Sequence, residues 1–260
     1  MPTFAANLTM LWPELDIYDR FAAAAQAGFR KIEILFVHGL DQTRLRALLA
    51  EYDLELVLFD PYPGDWEAGE RGLLCLPGRE TEFEDSIRDA LETAAELGTH
   101  RLNAIAGVVP PGVGRAQAER TAVQNLRKVA SRAEDAGVYV LVENINTVDM
   151  PGYLADTPER AAAIVQAVDH PSIRLQLDQY HVGMMGGDAR QALRTYRDLV
   201  EHVQIADVPG RHEPGTGQQP IREFLAELDE LGYDGAVGLE YRPAGSTEAA
   251  LEWLPRDRRG

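Results

Sequence analysis

Residues 138–143 read Val-Tyr-Val-Leu-Val-Glu and residues 173–178 read Ile-Arg-Leu-Gln-Leu-Asp, two apolar runs that each stop on a carboxylate. The stretch between them, 157–168, carries its apolar residues at helical period. Strand, helix and strand in that order form a parallel pair joined by a crossover helix. Working outward, the same alternation predicts strands at 4–7, 31–35, 54–59, 101–106, 138–143, 173–178, 202–206 and 236–240. Helices are expected near 13–26, 42–52, 80–97, 115–135, 157–168, 188–199, 219–231 and 247–253, several closed by a glycine: Ala27-Gly28, Leu97-Gly98, Ala136-Gly137 and Leu231-Gly232. Eight β/α units in 260 residues match a closed (β/α)8 barrel of α/β class better than an open doubly wound sheet. An open nucleotide-binding sheet would show a glycine fingerprint after its first strand, and residues 7–13, Asn-Leu-Thr-Met-Leu-Trp-Pro, have none. The reading is one domain over 1–260, with one long connection at 60–79, DPYPGDWEAGERGLLCLPGR, expected to lie over the mouth as a lid.

Composition narrows the function. Apolar residues make up 45% of the chain, ample for a core, and no run approaches the roughly 18 uninterrupted apolar residues of a membrane span. The start, MPTFAANLTM, lacks the basic and apolar segments of a secretory signal, so a cytoplasmic protein is expected. Against 42 Asp and Glu stand 25 Lys and Arg, a net charge of -17 that disfavours nucleic acid and anionic membranes as partners. Cys75 is the sole cysteine, which excludes an intrachain disulfide and a thiolate metal cluster and marks it as a quiet thiol. The lysines are Lys31, at a strand start, and Lys128, on a helix, so a Schiff-base lysine at a strand's C-terminal end has no candidate. A small-molecule partner is expected; association into a homo-oligomer is compatible with the sequence.

Barrel enzymes draw their active groups from the C-terminal ends of the strands. Those ends carry Glu143, Asp178, Gln204 and Glu240, each about one β/α repeat from the next, so their side chains can converge on one axis. Carboxylates ending apolar strands are costly unless paired or bound to a cation. An all-oxygen set of Glu143, Asp178, Gln204 and Glu240 suits a hard divalent metal, Mg2+ or Mn2+. Glu143 and Glu240 can also serve as an acid/base pair that moves a proton between adjacent carbons. His181, three residues past Asp178, is placed to reach a substrate oxygen. Arg71 and Arg211, in mouth-side loops, can each hold a substrate carboxylate by a two-pronged contact, or equally can staple their own loops.

At these residues the chain resembles the hydroxypyruvate isomerases, within the sugar isomerases and epimerases built on the xylose-isomerase-like TIM barrel. The similarity runs nearly end to end, through residues 4–11 (FAANLTML), 64–72 (GDWEAGERG), 77–80 (PGRE), 142–146 (VENIN), 178–181 (DQYH), 204–207 (QIAD) and 213–217 (EPGTG). The GDWEAGERG segment is the specific one. The resemblance implies that Glu143 and Glu240 transfer the proton, with Asp178 and Gln204 completing the metal site. Gln204 stands where many sugar epimerases of the group carry a histidine, Phe59-Asp60-Pro61 where similar isomerases often have His or Asn, and Gln218 where a glutamate is usual.

The expected activity is that of an aldose–ketose type isomerase interconverting hydroxypyruvate and tartronate semialdehyde (2-hydroxy-3-oxopropanoate) through an enediolate. The alternatives are a 2-oxo-tetronate isomerase and a ketose 3-epimerase on neutral sugars. The loop arginines favour an acid, because a neutral sugar gives them nothing to neutralise. A metal-dependent abasic-site endonuclease would need several clustered histidines and a basic groove, which six scattered histidines and the acidic balance oppose. A non-catalytic binding barrel predicts loss of strand-end carboxylates, and here all remain.

Overall fold

The strands are short, apolar and β-branched, and each is followed by an alanine- and leucine-rich helix that packs back on it. In the computed structural model, which describes residues 2–260, the order is β1 (Thr3–Asn7), α1 (Asp19–Ala27), β2 (Lys31–Phe36), α2 (Gln42–Tyr52), β3 (Glu55–Asp60), α3 (Glu80–Leu97), β4 (Arg101–Asn103) and α4 (Arg115–Asp135). There follow β5 (Tyr139–Glu143), α5 (Pro158–Val168), β6 (Ile173–Asp178), α6 (Gln179–Met184), α7 (Ala189–Tyr196), β7 (Val200–Ile205), α8 (Ile221–Glu230), β8 (Ala236–Leu239) and α9 (Thr247–Ala250). All eight strands are parallel, and β8 pairs with β1 to close the barrel. This is the (β/α)8 barrel expected from the repeat.

Side chains alternate across each strand. On β5, Val140 and Val142 face the helices, while Leu141 joins a small interior cluster with Ala5, Val57, Leu58 and Ala236. Glu143, two residues beyond Leu141, therefore points along the interior at the strand's C-terminal end. The same parity turns Asn7, Gln176, Asp178 and Gln204 inward, and the ladder sets Glu143 beside Gln176, Asp178 beside Gln204 and Gln204 beside Gly238.

Three local departures from the sequence reading have physical causes. Strand β4 ends at Asn103 rather than 106, because Ala106 N donates to the Tyr153 hydroxyl (2.8 Å) and Ala106 O accepts from Cys75 N (3.0 Å) in place of a strand partner. The first helix starts at Asp19 rather than 13, since residues 13–18 form turns held by Arg20, which donates to Leu8 O (2.7 Å) and Leu15 O. Helix α6 has no counterpart in the reading: Asp178 ends β6 and caps α6 in one residue, its Oδ1 accepting from Tyr180 N (2.7 Å), so no turn residues punctuate the junction.

Candidate active site

A cavity of about 420 Å³ opens at the C-terminal end of the barrel, lined on its polar side by Asp60, Glu143, Asp149, His181, Arg211, Glu240 and Arg242. Met10, Phe36, Trp66, Ile105 and Met150 are among its apolar walls. A volume of this size suits a small molecule.

The strand-end carboxylates lie together and are crowded. Glu143 is held by Asn103, whose Nδ2 donates to Oε2 at 2.7 Å. Asp178 spends Oδ1 on the N-terminus of α6, while its Oδ2 is buried without a hydrogen-bond partner. Glu240 is paired with Arg211, Nη2 to Oε1 at 2.6 Å, and the same nitrogen lies 3.7 Å from Asp178 Oδ2. Asp60, at the end of β3, has a second buried oxygen without a hydrogen-bond partner. Burial, reinforced by the Glu240 charge, holds the Glu143, Asp178 and Asp60 carboxyls well above their ordinary range. Burial raises Glu240 as well, against the opposing pull of Arg211. Burial works against the charge of Arg211 too, yet Glu240, Asp178 and Glu143 keep it firmly protonated.

His181 is buried, with Nε2 3.5 Å from Asp178 Oδ2 and 3.9 Å from Glu143 Oε1. Burial, and then the Arg211 charge, depress its pKa well below the ordinary value. Glu143, Asp178 and His181 present ligand-type atoms within 4.8 Å of one another, the one such group of His, Cys, Asp and Glu among the described residues. The chemistry fits a cation: an orphaned Asp178 oxygen and several buried carboxylates face a single buried guanidinium, an arrangement short of positive charge.

Two sequence-derived candidates are engaged elsewhere. Gln204 was expected among the metal ligands; the ladder does set it beside Asp178, but both ends of its amide are used. Its Oε1 accepts from Gln176 Nε2 at 2.6 Å and its Nε2 donates to Glu33 Oε2 at 3.0 Å. Arg71 is stapled within its own loop: Nη1 donates to Trp66 O (2.8 Å) and Glu70 O (2.7 Å), and the guanidinium stacks 4.2 Å over Trp66, leaving Trp66 to line the cavity.

Sequence reasoning passed over several residues. Asn103 was hidden by the overlong fourth strand. Asp60, which the sequence marks only as a departure from similar isomerases, also ends an apolar strand on a carboxylate, as Glu143 and Asp178 do. Arg242, two residues past Glu240, is an exposed cation on the cavity rim; its main chain is pinned, N to Arg211 O at 2.8 Å and O to His212 Nδ1 at 2.7 Å, but its guanidinium has no carboxylate partner among the described residues. Cys75 is buried and its thiol is pushed up to about 12 by that burial, in keeping with a quiet residue.

Comparison with known proteins agrees with the geometry. A 2-oxo-tetronate isomerase of Cupriavidus necator is 44% identical over 98% of both chains, and a hydroxypyruvate isomerase of Escherichia coli is 38% identical over 98% of both. A crystal structure described as an AP endonuclease, family 2, from Brucella melitensis is 40% identical and superposes with a TM-score of 0.95 over 98% of both chains. The family model for the xylose isomerase-like TIM barrel matches residues 21–256, and the chain belongs to that family.

Proposed function

We propose that this protein is an aldose–ketose type isomerase that moves a proton between adjacent carbons of a small 2-oxo or 2-hydroxy acid, with hydroxypyruvate and tartronate semialdehyde as the leading pair. The observation that carries this reading is the pair of buried carboxyls, Glu143 at the end of β5 and Glu240 just past β8, lining one small cavity. Raised proton affinity suits both for exchanging a proton with carbon near neutral pH. One carboxylate removes a proton from C3 of hydroxypyruvate, the other carboxyl returns a proton to C2 of the resulting enediolate, and the hydroxyl proton of O3 passes to O2, so that C3 becomes the aldehyde and C2 the carbinol. Asn103 orients Glu143, and Arg211 orients Glu240. The apolar walls, Trp66 and Met150 among them, exclude water that would protonate the enediolate at the wrong carbon.

Glu143, Asp178 and Glu240 are the residues proposed to hold a divalent cation, Mg2+ or Mn2+, since all offer oxygen. When bound, such an ion would polarise the substrate carbonyl. Arg242 is the mouth cation proposed to meet the substrate carboxylate. A four-carbon 2-oxo-tetronate is the second reading, favoured by the 44% identity to an enzyme of that name. The endonuclease name of the Brucella relative finds no support in a chain of net charge -17 whose ligand group contains one histidine.

The test is exchange in deuterated water, followed by proton NMR, on hydroxypyruvate, a 2-oxo-tetronate and a ketohexose, with and without chelator. Deuterium incorporation and isomer formation on an acid, lost with chelator, are expected. Conversion of the ketohexose alone would replace the reading with a 3-epimerase.

A further inference from the structure

His181 sits against two carboxylates, and two roles are open to its Nε2: a lone pair turned to a metal, or an N–H turned to substrate. The choice lies on the other side of the ring. Asn146 Nδ2 is 2.6 Å from His181 Nδ1 and 2.9 Å from Asp149 Oδ2. Asn146 Oδ1 accepts from two main-chain donors, Val148 N at 2.9 Å and Asp149 N at 2.8 Å. An amide has two N–H donors and two carbonyl lone pairs, and here each is matched. Turning the amide over would set its NH2 against two N–H groups and its oxygen against the Asp149 carboxylate, so the orientation is fixed by its surroundings. Asp149 is itself held by the Tyr180 hydroxyl at 3.0 Å.

A nitrogen that faces an N–H must accept. We infer that Asn146 is a positioning residue that locks His181 in the Nε2–H tautomer, making it a hydrogen-bond donor to a substrate oxygen rather than a ligand for a metal. The metal-type group then divides: Glu143 and Asp178 are left to a cation, and His181 to the substrate. In the proposed isomerisation, a conclusion that this last step rests on, the Nε2–H neutralises charge growing on the oxygen of the carbon being reprotonated. The tautomer itself depends on no choice of substrate.

The experiment is nitrogen NMR of protein labelled with 15N-histidine, with the His181 signals assigned by their loss in His181→Gln. The expected spectrum shows a protonated Nε2 and an unprotonated Nδ1, unchanged in pattern when Mg2+ is added. In Asn146→Asp the new carboxylate accepts instead of donating, and the pattern should invert to Nδ1–H; in Asn146→Ala, which does not set two carboxylates side by side, both tautomers should be populated. Where the acid substrate is turned over, both variants should lose about tenfold to a hundredfold in kcat, with a smaller change in KM. A wild-type Nδ1–H signal, or loss of the Nε2 proton on adding Mg2+, overturns the inference. A wild-type Nε2–H signal in a protein that turns over no acid leaves the tautomer standing and removes the proposed reaction instead.

Discussion

Two polar layers are stacked inside the same barrel, and they treat charge in opposite ways. In the lower one Glu33, fully buried, accepts from Asn7 Nδ2 (3.2 Å) and Gln204 Nε2 (3.0 Å) on Oε2 and faces His202 Nε2 (2.5 Å) on Oε1. Gly238 makes room for it, since a Cβ there would overlap the carboxylate. In the upper one, nearer the cavity, Asp178 and Asp60 each keep a buried oxygen without a hydrogen-bond partner among the described residues, and like charges crowd together. A carboxylate with its acceptors filled is structural; one left unfilled in a cavity is available for a ligand.

The same substitution made in each layer can break this comparison. Glu143→Gln removes the proton acceptor but keeps the shape, so turnover should fall by ~10²–10⁴. Taking one charge out of a crowded cluster should leave the metal-free protein at least as stable as the parent, measured by its urea midpoint. Normal turnover would sink the acid/base assignment. Glu33→Gln should do the reverse: an amide cannot accept at both positions, and one buried donor is stranded at a cost of about 1–3 kcal/mol in unfolding free energy. Its kcat should stay within a few-fold, and a catalytic collapse without loss of stability would merge the two layers. The smallest effect concerns the rim. Arg242→Met should raise KM for a carboxylated substrate about tenfold, while Arg71→Met, which removes only a loop staple, should leave KM unchanged. Steady-state kinetics that put the larger effect on Arg71 would return the carboxylate to the 60–79 loop.

The barrel was legible because its signal is repetitive: eight apolar runs, each answered by a helix, leave little choice of topology. Glu143, Asp178 and Glu240 were legible for a related reason, since a carboxylate closing an apolar strand has to be compensated. What the chain could not announce was partnership. Gln204 ends its strand in the same manner as the others, yet Glu33 and Gln176, distant in sequence, take both ends of its amide. Arg71 and Arg242 are both mouth-side cations, and only the path of the main chain, which puts the Trp66 and Glu70 carbonyls within reach of Arg71, separates a staple from a free guanidinium. Asn146 reads as one more loop asparagine until its four hydrogen bonds are traced.

The double duty of Asp178, strand end and helix cap at once, has an evolutionary consequence. Asparagine caps a helix about as well as aspartate, so an Asp178→Asn change would keep α6 and the barrel intact while erasing one of the anionic oxygens in the cavity. Selection for folding alone would not notice the loss. Lineages of this barrel can therefore drift out of catalysis with their architecture unmarked, and inheritance of the activity has to be read at the second carboxylate oxygen of residue 178.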